Sequence, residues 1–179
     1  MKEKITDERF EEILNDLIIE YAKTTTPTIW HQMAMEWNWD SSSVFLNWLT
    51  DNPLTDKGTA LMIYWKSAPR YWKKFKDKKD LISKEKYSLN DFEFTEKIEG
   101  NYLKNFYKQN IFEYNPKSDE QGYDWTNDYL DEKIVRDIPK IMFEKVEGKK
   151  VDEPKDFIEG FPPELDLLKQ GIFEKYEIE

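Results

Sequence analysis

Asp56-Lys57-Gly58-Thr59-Ala60-Leu61-Met62-Ile63-Tyr64-Trp65-Lys66 is the stretch that decides the fold. From Ala60 to Trp65 every residue is apolar or aromatic, so a helix here has no solvent face and belongs at the centre of a core. Asp56 is placed to cap its N-terminus, and Gly58, Thr59 and Ala60 make a narrow first turn that lets another backbone approach. The run is far too short to span a bilayer, which needs about 20 apolar residues.

On the N-terminal side, Asp51-Asn52-Pro53 ends a short helix with Val44, Phe45, Trp48 and Leu49 on its inner face, because the residue before proline avoids helical backbone. Asn38 to Ser43 reads as a turn. Trp30, Met33, Ala34 and Trp37 repeat at helical spacing after Pro27, which opens that helix. Phe10, Ile13, Leu14, Leu17, Ile18 and Tyr21 form one stripe of a first helix capped by Thr6. On the C-terminal side, Pro69 opens a helix carrying Tyr71, Trp72 and Phe75. An amphipathic element follows over Phe92 to Tyr107, with Ile98, Tyr102, Leu103 and Phe106 inward. Ile134, Ile138, Ile141 and Met142 suggest a further helix, with Pro139 as a candidate break in it. Val146 to Val151 around Gly148 fits a small β-hairpin equally well. Pro162-Pro163 opens a last helix with Leu165 and Leu168 inward and Gly171 as its stop. The expectation is a mainly α, single multi-helix domain over residues 1–179, with at most one small hairpin in its C-terminal third.

Composition narrows the function. The chain has 37 acids against 27 lysines and arginines, a net charge of −10, which disfavours general binding to nucleic acid or to a membrane surface. It has no cysteine and a single histidine, His31, which removes thiolate zinc sites, cysteine nucleophiles and two-histidine metal sites. His31 reads as a helix-surface or core-edge residue. The six glycines are scattered, so no loop cradles phosphate. No cofactor and no metal are expected. The N-terminus carries Asp7, Glu8, Glu11, Glu12 and Asp16 where a signal peptide needs an apolar core, which points to the cytoplasm.

Charge is segregated along the chain. Residues 66–79 hold seven basic side chains and one acid, residues 113–132 hold seven acids and one lysine, and residues 152–179 hold nine acids and three lysines. Six of the seven tryptophans fall between positions 30 and 72, mostly at core spacing; Trp39, in the 38–43 turn, is the candidate exposed ring.

His31-Gln32, Trp37-Asn38-Trp39-Asp40, Trp48, Asn52-Pro53 and the Asp56 to Trp65 stretch together resemble a bacterial family, domain of unknown function 4274. The Asn-Trp-Asp turn and the Asp-x-Gly-Thr-Ala-Leu helix start are the specific pieces, and Gly160-Phe161-Pro162 fits the same pattern less closely. The resemblance implies no activity and no catalytic residue. Small acidic bacterial proteins of this kind are often encoded as accessory or immunity proteins beside toxins, an analogy at the level of class.

The reading that follows is a non-enzymatic protein-binding domain, such as a toxin-neutralising immunity protein, that meets a basic partner through acidic surface. Its candidate contacts are Asp119, Glu120, Asp124 and Asp128 in the acidic loop, with Trp39 and Asp40 in the turn. One alternative is an enzyme with a carboxylate pair near Trp39, drawn from Asp40, Asp51 and Asp56, suited to sugar chemistry. The other is a homo-oligomeric structural protein whose 66–79 segment pairs with the acidic C-terminal segment of a second copy.

Overall fold

In the computed structural model, which describes residues 2–178, the chain runs β1 (Glu3–Ile5), α1 (Asp7–Thr24), α2 (Pro27–Met35), α3 (Val44–Asp51), α4 (Lys57–Lys66), α5 (Pro69–Trp72), α6 (Lys78–Lys84), α7 (Leu89–Leu103), α8 (Pro163–Lys175) and β2 (Tyr176–Ile178). The fold is mainly α. Its residues cluster into two units, one drawn from 1–49 together with 152–179, the other from 50–151.

In the first unit, Thr6 caps α1 by accepting the Arg9 N–H at 3.2 Å, and Thr26 caps α2 ahead of Pro27. Phe10, Ile18 and Ala22 are buried along α1, whereas Leu14 and Leu17 are only half-buried. The Trp30 indole N–H donates to the Ala22 carbonyl at 2.8 Å, tying α2 to the end of α1. α8 packs against α1, with the Phe10 and Phe173 rings edge to face at 4.9 Å. Beyond α8 the chain forms β2, which pairs in parallel with β1 in the register Glu3–Tyr176, Lys4–Glu177, Ile5–Ile178. The chain enters α8 through a tight turn in which Ile158 and Phe161 pair; Glu159 and Gly160 both sit at positive φ there. Gly160 lies directly against Trp37: a Cβ on it would stand 2.9 Å from the Trp37 Cα.

The second unit is built around α4, where every residue from Gly58 to Trp65 is buried. Asp56 caps it, accepting the Gly58 N–H at 2.8 Å, and the same carboxylate accepts the N–H groups of Ile111 and Phe112. The narrow first turn admits a backbone: a Cβ on Gly58 would lie 2.5 Å from the Phe112 carbonyl oxygen. α7 packs on α4, burying Ile98 and Tyr102 but leaving Leu103 exposed. A second cluster gathers Trp72, Phe75, Leu81 and Phe92 beneath α6, whose start is capped by Asp77.

Three expectations are corrected. Ile134 to Met142 is not an α-helix: Pro139 bars Ile138 from helical backbone, and only a 3₁₀ turn at Lys140–Phe143 follows. Val146 to Val151 does not pair with itself; Val146 bridges to Tyr114 and Lys149 to Phe112. Gly171 does not stop α8, which runs on to Lys175, and Leu168 faces solvent while Leu165 is fully buried.

Candidate functional site

The acidic loop of the second unit is organised by its own carboxylates. Asp119 accepts the backbone N–H groups of Gln121 and Tyr123 and the Trp125 indole N–H, the last at 2.7 Å. Asp124 caps a 3₁₀ turn at Trp125–Asn127, taking the Thr126 N–H and hydroxyl and the Asn127 amide. Asp128 accepts the Tyr123 hydroxyl, and Glu120 pairs with Lys66 at 3.7 Å with both side chains about nine-tenths buried. The basic segment answers the loop directly: Lys74 pairs with Glu132, and the Arg70 guanidinium donates to the Thr126 carbonyl. Two ion pairs, Lys66–Glu120 and Lys74–Glu132, thus join the +6 and −6 stretches within one unit. Asp119, Asp124 and Asp128 thus shape the loop by accepting hydrogen bonds, and Glu120 is tied to Lys66.

A second constellation lies beneath α4 and α7. Lys73, 2% exposed, bonds Glu99 at 2.8 Å and Glu96 at 3.1 Å. Tyr64 donates its hydroxyl to Glu99, and Arg136 bonds Glu96 while also donating to the carbonyls of Phe75 and Trp72. Burial first, and the Glu99 charge second, push the Tyr64 phenol far above its ordinary pKa. Burial would raise Glu96, but the Arg136 hydrogen bond and the Lys73 charge outweigh it and hold Glu96 below the usual glutamate value. Two carboxylates face two cations, each hydrogen-bonded, which is the pattern of a clamp joining α4, α5 and α7 to the 136 region.

The three acids considered for catalysis have separate roles. Asp56 is buried, and burial lifts its pKa against the pull of the Ile111, Gly58, Phe112 and Thr59 N–H groups it accepts. Asp51 pairs with Lys97 at 2.5 Å. Asp40 is exposed in the turn that Asn38 closes by accepting the Asp40 N–H at 2.9 Å. His31 is buried in α2 rather than on its surface. Trp30, Trp37, Trp65 and Trp72 are core residues, while Trp39 stands 40% exposed on the turn. Among the described residues no group of three or more histidines, aspartates or glutamates is placed to hold a metal ion, and no helix is long and apolar enough to cross a membrane.

The first unit presents a different surface. It carries eighteen acids against seven lysines and arginines, the second unit nineteen against twenty, so the whole net charge of −10 arises as −11 and +1. α1 exposes Asp7, Glu8, Glu11, Glu12, Asp16 and Glu20. Glu12 pairs with Arg9 and Glu20 with Lys23, both on the surface, while Glu8 and Glu11 make no ion pair among the described residues. Beside them lies a groove of 430 Å³ walled by α1, the turn at 41–43 and α8. Its apolar floor comes from Leu14, Leu17, Ile18, Phe161 and Leu165, and Glu11, Asn15 and Lys169 stand at its polar margin. The Ser42 hydroxyl donates to the Asn15 amide oxygen at 2.7 Å, fixing the turn against α1.

Fold and surface together define a mainly α-helical protein whose charge is concentrated in one acidic helical unit. Residues 25–103, from the start of α2 to the end of α7, match the model of a family described as Domain of unknown function (DUF4274), the family that the sequence resembles. No curated protein and no solved structure matches the chain. Of the groove walls, only the 41–43 turn lies inside the family segment.

Proposed function

We propose that this protein is a non-enzymatic binding module that engages a basic partner protein through the acidic surface of its first unit, as an immunity protein engages a toxin. One observation carries the reading: the first unit holds a charge of −11, and α1 displays carboxylates such as Glu8 and Glu11 without ion-pair partners among the described residues. Unpaired exposed charge adds little to stability but steers association and selects a partner of opposite sign. The 113–132 loop is the weaker candidate, because reversing Asp119 or Asp124 would break the hydrogen bonds that shape it. Reversal on α1 is the cleaner probe, since Glu8, Glu12 and Asp16 are exposed.

The test is capture from the native host by wild type, by a Glu8→Lys, Glu12→Lys, Asp16→Lys variant, and by wild type at rising salt, with captured proteins identified by mass. A basic protein should be retained by wild type, lost by the variant, and released as salt passes roughly 0.1–0.2 M, where the Debye length is about 8–10 Å. A partner retained equally by the variant and insensitive to salt refutes the reading.

A further inference from the structure

The groove of the first unit is a site in its own right. Its 430 Å³ falls within the range of about 300–1,000 Å³ typical of ligand pockets. The α1 stripe is wider than the fold covers: Phe10 and Ile18 are buried, yet Leu14 and Leu17 remain half-open on the groove floor beside Phe161 and Leu165. Apolar side chains left half-open under a cavity gain free energy when another apolar group fills it, at roughly 25 cal/mol per Å² removed from water. The wall is held in place before any ligand arrives, because Ser42 is bonded to Asn15 on α1, and a preformed wall lowers the ordering cost of binding.

The margin tells which apolar group fits. Glu11 stands on it without an ion pair among the described residues, and outside the groove lining α1 exposes Glu8, Glu12 and Asp16. The one cation at the margin, Lys169, is drawn over the Phe161 ring at 4.5 Å and leans on the floor rather than across to Glu11. An apolar floor beside a helix that exposes acids matches an apolar segment flanked by lysine or arginine, the pattern of an amphipathic basic helix lying in a groove. Resting on the acidic-surface reading above, we infer that the α1–α8 groove receives leucine- or phenylalanine-type anchors from a basic segment of the partner, with Glu11 and its neighbours on α1 meeting the flanking cations.

Three synthetic peptides added to the ¹⁵N-labelled full chain test this: an amphipathic leucine–lysine helix, a polylysine of equal charge, and a leucine–glutamine helix of equal apolar content. The leucine–lysine peptide should shift the amides of Leu14, Leu17, Ser42 and Leu165 and bind at least about tenfold more tightly than either comparator, a difference of about 1.4 kcal/mol. Leu17→Gln should remove most of that advantage. Ser42→Phe, which fills the groove from its exposed wall, should do the same without touching the floor, so a folding defect in one variant does not decide the outcome. If polylysine binds as tightly and shifts only the exposed acids of α1, the groove inference is overturned while the acidic-surface reading stands. If leucine–glutamine binds the groove as tightly as leucine–lysine, the basic partner is overturned in both. Silence of the groove amides with every peptide at millimolar concentration also overturns the inference.

Discussion

Replacing Gly58 by alanine adds one carbon at the start of α4, where helix propensity alone would favour the change by up to about 1 kcal/mol. The structure predicts the opposite sign. The new Cβ would sit 2.5 Å from the Phe112 carbonyl oxygen and 3.2 Å from its carbon, both backbone atoms. Ordinary contact begins near 3.4 Å, so the 111–112 segment must retreat by about 0.9 Å. Overpacking of this kind costs about 1–3 kcal/mol. The retreat also stretches the bonds from the Ile111 and Phe112 N–H groups to the Asp56 carboxylate, and hydrogen bonds to charged groups contribute about 1.5–3 kcal/mol each. With partial relaxation and the propensity gain set against it, the net loss is about 2–4 kcal/mol. Gly100→Ala in α7 is the control: nothing lies within 4 Å of its would-be Cβ, so it should be neutral or more stable by about 0.5–1 kcal/mol. Urea denaturation followed by tryptophan fluorescence measures both. A Gly58→Ala midpoint equal to or above wild type would show that the 111–112 backbone is not seated on α4.

Asp56→Ala removes a cap together with the anchor for Ile111 and Phe112, so its loss should exceed the roughly 0.5–2 kcal/mol of a simple cap; a loss under about 0.5 kcal/mol in the same assay contradicts that double role. Gly160→Ala should destabilise by about 2–5 kcal/mol, because φ is +88° and a Cβ would stand 2.9 Å from Trp37, and calorimetry should show a lowered Tm. Glu96, held below the usual glutamate value in the fold, stabilises the protein above its unfolded pKa, and that contribution drains away as pH falls through the lower folded value. Urea midpoints of wild type should therefore drop below about pH 4.5, while Glu96→Gln should start lower at pH 7 and fall less steeply; parallel pH profiles would argue against the clamp.

The elements that could be read from sequence are those whose signal is local. The α4 run, the α1 stripe, the Thr6 and Asp56 caps, the Pro27 start of α2 and the Asn38 turn all sit where their residue spacing placed them. What escaped is non-local or dual-natured. β1 and β2 are three residues each with partners more than 170 positions apart, so no alternation of useful length exists in either. The 146–149 segment carried a turn signal at Gly148, but its pairing partner lies at 112–114. The acidic loop was read by charge alone, although aspartates also build turns by accepting backbone N–H groups. That second property is the one Asp119 and Asp124 use. The groove was invisible because it depends on which residues of the α1 stripe α8 leaves uncovered.

The first unit is assembled from two pieces of chain, and this has a consequence during synthesis. Roughly 140 residues separate the end of α1 from the start of α8, and at about 5–20 residues per second their translation takes on the order of 7–30 s. For that interval, in which the whole second unit is made, α1 carries its apolar stripe, Phe10, Leu14, Leu17 and Ile18, without the α8 that packs against it. An amphipathic helix thus waits on its packing partner throughout, and Glu8, Glu11, Glu12 and Asp16 put charge beside its apolar stripe, the placement that discourages self-association.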